Sequence, residues 1–196
     1  MKNVDKLMKL PPVAILGGLS IVFGTVLSNN MNHPILSPLM FSLGIIFVIV
    51  LNLGLITRSV PSGGSVGECV IIALYNLFTA FLCGIFLGGF GNFPTTVEPN
   101  FWGAVGTGII IGLVSLVNRE ETPYKVPVTI MLMFSFVYLK LPHCVVSAFY
   151  AGNILSTTKD LSALWGLFMV LIGNVAGGCV VRFADLWRKK EIGEKK

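Results

Sequence analysis

Charge is what this sequence has least of. Asp, Glu, Lys and Arg make up 12% of its 196 residues, about half the ~25% of a soluble domain. With 54% hydrophobic residues and a mean hydropathy of +0.84, the chain suits a bilayer better than water. Disorder, a secreted disulfide scaffold and a nucleic-acid module are excluded at this point. The net charge of +5 does not make a polyanion-binding patch, because almost all the cations stand at the ends of apolar segments. Cysteine is scarce as well. Cys69, Cys83, Cys144 and Cys179 lie singly in apolar runs with no C-x-x-C spacing, which reads as four buried thiols and implies neither a zinc site nor a disulfide framework. A P-loop is missing, and so is any Ser/His/Asp, Cys/His or paired-carboxylate constellation. No ATP, metal or other cofactor is implied, and the chain does not read as an enzyme.

What is present is a series of apolar runs. From Pro11 to Thr57 there is no Asp, Glu, Lys or Arg, too long a stretch for one membrane helix of about 20 residues. The polar segment Ser28-Asn29-Asn30-Met31-Asn32-His33-Pro34 divides it into spans at about 12–28 and 35–57. Further spans follow at about 69–90, 101–118, 126–153 and 161–181, the fifth interrupted by Lys140, Pro142 and His143. Lys2, Lys6 and Lys9 precede the first span as they would a secretory signal, but no small-residue cleavage site follows it and five more spans do. The expectation is an all-α membrane protein of six transmembrane helices.

Lysine and arginine orient it. One side carries Lys2, Lys6, Lys9, Arg58, Arg119, Lys125, Arg182, Arg188, Lys189, Lys190, Lys195 and Lys196; the other carries only Lys159. This asymmetry puts both termini in the cytoplasm, in a multi-pass protein of the cell's inner or plasma membrane. The basic tail at 183–196 reads as a juxtamembrane anchor.

Three spans followed by three more, with both termini on one side, make two halves that enter the bilayer from opposite faces, at about 12–90 and 101–182. Leu51-Asn52-Leu53-Gly54 in the second span and Leu139-Lys140-Leu141-Pro142-His143 in the fifth each break an apolar helix beside a polar residue. Asn76 in the third span and Asn174 in the sixth each stand near mid-helix, with small residues on the following turn. Interrupted helices at corresponding places in two halves point to a solute site near the midplane, because broken backbone at that depth is tolerated only when buried in protein or lining a cavity. Gly84, Gly88, Gly103, Gly106, Gly173, Gly177 and Gly178 give small-residue spacings that let helices approach closely.

His143, deep in the fifth span, is the ionisable group that changes charge near neutral pH. It suits proton exchange on a weak-acid path, or else it is a neutral, hydrogen-bonded core histidine. Lys140 either faces the pore, where it favours anion entry, or snorkels to the outer interface. Asn76 and Asn174 offer uncharged amides to a solute, or serve as interhelical hydrogen-bond donors. Thr57 ends the second span where its hydroxyl could meet a solute, and Arg58 beside it makes a basic inner vestibule.

Taken together, these residues resemble the formate/nitrite transporter family over about 13–187. Phe41-Ser42-Leu43-Gly44-Ile45-Ile46-Phe47 leading to Leu55-Ile56-Thr57 looks like the family's second helix with its Leu-Phe-Thr end. His143-Cys144-Val145-Val146 is similar to the His-Ser-x-Ala element of the broken fifth helix. Gly173-Asn174-Val175-Ala176-Gly177-Gly178 is close to the Gly-Asn-x-x-Gly-Gly of the sixth, and Asn76 fits the Asn of the third. The resemblance implies an aquaporin-like protomer in a homopentamer, passing small monovalent anions such as formate, nitrite or hydrosulfide. It also implies His143 and Thr57 as the central polar pair, Phe41 and Phe136 as the outer constriction, and Ile45, Leu55 and Ile56 as the inner one. The sequence departs from the family's pattern at Pro142, where the family has Glu, and at Ser147 and Gly112, where it has Asn. The family's fourth-helix lysine has no counterpart, and Lys140 is an addition. These departures bear on substrate identity more than on fold.

The function expected is a channel or proton-coupled transporter for a small weak-acid anion, with a proton and the lipid bilayer as its other partners. The rival is a channel for a small neutral solute such as urea, ammonia or water.

Overall fold

The computed structural model describes residues 7–120, 122–191 and 193. Lys2, Lys6, Lys195 and Lys196 of the basic side, and Glu121, lie outside the described residues. The chain is helical throughout, with no strand among the described residues. Its helices are α1 (Leu10–Asn30), α2 (Leu36–Val50), α3 (Ile56–Ser59), α4 (Val66–Leu87), α5 (Phe101–Val117), α6 (Lys125–Tyr138), α7 (Cys144–Thr157) and α8 (Ser162–Glu191), with a 3-10 turn at Gly88–Phe90 after α4.

Local chemistry sets most of the starts. Pro11 and Pro12 stand in the first turn of α1, where a missing N–H has no partner to lose. Ser65 and Glu68 close a reciprocal capping box on α4: Ser65 Oγ accepts from the Glu68 N–H and Glu68 Oε2 accepts from the Ser65 N–H. Asn100 Oδ1 accepts from Gly103 N–H at the start of α5.

Three helices, α1, α4 with its terminal turn, and α8, are long and apolar enough to cross a membrane. The 14 residues each of α6 and α7 reach only about 21 Å, short of the ~30 Å hydrocarbon core, so α2 with α3 and α6 with α7 each fit one interrupted crossing. Large apolar side chains cover the outside: Phe78, Phe86, Trp102, Met131 and Phe183 are all exposed, as lipid-facing residues are. The sixth stretch departs from expectation. Its helix does not stop near Val181 but continues to Glu191, and Asp185 pairs with Arg188 and Lys189 one turn on within the added stretch.

α1 packs on α4, and α5 packs on α8. α2 meets α6 and α4 meets α7, and the two breaks meet where Thr57 bonds His143. Close approach needs glycine at two of these seams. A Cβ on Gly108 of α5 would collide with the Asn174 carbonyl of α8, and one on Gly84 of α4 with the Phe149 carbonyl of α7. Gly106, also expected at a seam, meets only the end of the Leu141 side chain, and Gly103 only its own cap residue Asn100. The four thiols were expected to be buried, and only one is fully so. Cys179 is exposed on the outer face of α8, whereas Cys144 is buried and Cys69 and Cys83 are half-buried.

Candidate functional site

The two breaks have the same backbone. α2 stops when Asn52 turns left-handed at φ 50, and α6 stops when Lys140 does so at φ 53. In the first break Asn52 N–H donates to Ile49 O and Leu53 N–H to Val48 O, at 3.2 and 2.8 Å. In the second, Lys140 N–H donates to Val137 O and Leu141 N–H to Phe136 O, at 2.9 and 3.1 Å. This is the Schellman pattern in both cases. Leu55 and His143 then run extended, at φ −132, ψ 129 and φ −116, ψ 128, and each leads into a new helix.

One asparagine serves each break. Asn76 Oδ1 accepts from the first N–H of α3, that of Ile56, at 2.9 Å, while Nδ2 donates to Ala14 O and Gly54 O at 2.6 and 3.0 Å. Asn174 Oδ1 accepts from the first N–H of α7, that of Cys144, at 2.9 Å, while Nδ2 donates to Ala104 O and Pro142 O at 2.9 and 3.1 Å. Both side chains are buried, and both amides are consumed by backbone. This differs from the expectation that they offer donors to a solute: neither borders the cavity described next. The physical reason is that a break strips partners from the flanking N–H and C=O groups, and in an apolar surround those groups claim the nearest amide.

A cavity of about 530 Å³ opens beside the second break. His143, Phe41, Phe136 and Lys140 border it, joined by Ser147, Tyr150 and, from the segment before α5, Glu98. His143 is only 2% exposed. Its Nε2 shares a hydrogen bond with Thr57 Oγ1 at 3.2 Å, and its Nδ1 is buried with no hydrogen-bond partner. Phe136 packs 6.2 Å from the imidazole, and Phe41 meets Phe136 edge-on at 5.3 Å. Thr57, Ile45, Leu55 and Ile56 are buried in the core and do not border this cavity. The structure therefore brings Phe41, Phe136, His143 and Thr57 into one continuous set of contacts. Lys140, exposed and without an ion pair among the described residues, borders the same space from the end of α6.

Several groups at and near the site have no sequence signal that marks them. Ser147, Tyr150 and Glu98 form part of the cavity wall. Tyr150 is held by Asn29 Nδ2 at 2.9 Å, and Phe93 of the preceding loop packs on Phe149 at 4.9 Å. On the other side, Arg58 donates to Asn52 Oδ1 at 3.2 Å and to Leu53 O at 3.5 Å, tying a cation to the first break. No set of three His, Cys, Asp or Glu side chains close enough to hold a metal occurs among the described residues.

Long apolar helices with two interrupted ones between them are the build of a multi-pass membrane protein. No protein-family profile and no curated protein matches the sequence. Among solved structures the chain is similar to an FNT family ion channel, with a TM-score of 0.71 and 17% identity over 95% of this chain and 90% of that one. It is similar as well to a pentameric formate channel with formate bound, with a TM-score of 0.69 and 18% identity over 97% and 98%. The fold is thus that of the formate/nitrite transporter family; at these identities the likeness speaks to fold alone.

Proposed function

We propose that the protein is a channel or proton-coupled transporter for a small monovalent weak-acid anion of the formate, nitrite or hydrosulfide class. In this reading it is one transmembrane domain of two inverted halves, about 12–90 and 101–182, with a cytoplasmic tail at 183–196. It assembles as a homopentamer in the cell's inner or plasma membrane with both termini cytoplasmic. The observation that carries the reading is His143: an imidazole that borders the cavity, hydrogen-bonded to Thr57 and packed against Phe136, at the start of α7.

The chemistry follows from the apolar necks. A bare anion entering an apolar constriction faces a Born cost of order tens of kcal/mol, and crossing as the neutral acid avoids it. Lys140 at the outer mouth and Arg58 on the inner side gather the anion. The positive end of the α7 dipole favours negative charge beside His143. His143 takes a proton from bulk water and passes it, directly or through water, to the anion; the neutral acid passes Phe41 and Phe136 on one side or Ile45, Leu55 and Ile56 on the other and releases the proton beyond. Asn76 and Asn174 hold the two breaks open for this path without touching the solute.

A channel for a neutral solute such as urea, ammonia or water is the rival, and one observation favours it: Glu98 and Lys140 border the same cavity, so their formal charges cancel at the mouth. It predicts electrically silent, pH-independent flux with no competition among anions. The deciding experiment is formate, nitrite and hydrosulfide uptake by proteoliposomes across a pH series. Wild-type flux should rise as pH falls, and His143→Ala should lose most of the rate and flatten the profile. An unchanged rate and profile in His143→Ala removes the imidazole from the mechanism.

A further inference from the structure

The inner side of the path rests on a helix too short to hold itself. α3 is one turn, Ile56–Ser59, and helices far longer than this are marginal in isolation; α7, its counterpart after the second break, has 14 residues. Asn76 pins the start of α3. Its end runs into residues 60–63, and three contacts hold that turn from outside. Arg119 Nη2 donates to Pro61 O at 2.8 Å. Gly178 of α8 lacks a side chain where Val60 and Pro61 press against it: a Cβ there would sit 3.1 and 3.2 Å from them. The guanidinium of Arg182 lies over Gly63, which has a positive φ of 84. Arg119 is anchored in turn. Its Nη1 stands 3.2 Å from Oδ2 of Asp185, a carboxylate only 5% exposed. Arg188 and Lys189 on α8 hold the same carboxylate at 3.0 and 3.4 Å.

We propose that Arg119 is a positioning residue of the inner neck: its two-pronged guanidinium ties the turn after α3 to Asp185 on α8 and so keeps Ile56 and Thr57 aligned with His143. The proposal deepens the permeation reading and rests on it for its effect on flux. A lysine at 119 keeps a charge for Asp185 but cannot also present a second, rigidly placed N–H to Pro61 O.

The test compares Arg119→Lys, Asp185→Asn and Lys190→Gln with wild type in proteoliposomes. Lys190, exposed on the same helix and outside the pairs that hold Asp185, serves as the control. The first readout is amide hydrogen exchange at Ser62, Gly63 and Gly64, which bond back to Arg58, Val60 and Ser59. The expectation is exchange about tenfold faster in Arg119→Lys and Asp185→Asn, the factor set by one charged hydrogen bond, with Lys190→Gln at the wild-type rate. The second readout is the ratio of acetate to formate flux, which rises in the two tether variants as the neck loosens. Wild-type exchange in Arg119→Lys overturns the tether. Faster exchange with an unaltered acetate-to-formate ratio overturns the positioning role, leaving Arg119 only structural. The exchange readout needs no substrate. If wild type passes no anion while Arg119→Lys exchanges faster, the permeation reading fails and the tether stands.

Discussion

Removing the Asn174 amide separates a clamp from a pore-lining group. Asn174→Ala deletes three hydrogen bonds at a side chain 1% exposed. Ala104 O lies within α5 and keeps the intrahelical role of any helix carbonyl. The Cys144 N–H opens α7 and Pro142 O sits in the break, so these two lose the partner that Asn174 gives them. At about 1–3 kcal/mol for each buried group left unsatisfied, the loss is about 2–6 kcal/mol, a large share of the ~5–15 kcal/mol that holds a domain together. Asn174→Asp is no rescue. It retains an acceptor for the Cys144 N–H but faces Ala104 O and Pro142 O with carboxylate oxygens in place of donors. The assay is the unfolding midpoint in detergent micelles, read together with flux per folded protein. Both variants should unfold well below wild type. A native midpoint with a changed KM in Asn174→Ala would refute the clamp and return this amide to the solute path.

Gly108→Ala drives a methyl into the Asn174 carbonyl and to 2.9 Å from Gly177 Cα, forcing α5 from α8 at about 1–3 kcal/mol. Gly67→Ala, with nothing within 4 Å, is its neutral control in the same melting assay. Lys140→Gly relieves the left-handed backbone at φ 53 and should raise the unfolding free energy by about 1 kcal/mol. Because it also takes a cation from the cavity, it should raise the KM for an anion, whereas a neutral-solute channel would keep its KM.

The spans were legible because a bilayer excludes charge: the gap from Pro11 to Thr57 and the cations at segment ends leave few alternatives. The breaks were legible from Gly54 and Pro142, which a helix interior disfavours. The duty of the asparagines was not. An amide bonds a solute or a backbone with the same atoms, and only the positions of the Ile56 and Cys144 N–H groups decide between them. The inner tether is invisible for a different reason. Arg119 meets Pro61 from 58 residues away and Asp185 from 66, and no local spacing encodes such a contact. In the sequence Arg119 reads only as one cation of the basic side.

The backbone frame occurs twice and the chemistry once. Residue for residue, Asn52, Leu53, Gly54, Leu55 and Ile56 take the places of Lys140, Leu141, Pro142, His143 and Cys144. At the extended position before each new helix one break has leucine and the other histidine. At the preceding position Gly54 N–H donates to Val13 O, while Pro142 has no N–H to give. The first break is therefore bonded back into the bundle, and Arg58 closes over Asn52. The second is left with a cavity and, among the described residues, a lysine without an ion pair and an imidazole nitrogen without a partner. A buried polar atom without a partner in an otherwise satisfied frame is costly to keep. The break that carries this cost is the one beside the cavity. Under the proposed function the duplication builds the passage, and the inequality at positions 55 and 143 gives it a single point of proton exchange.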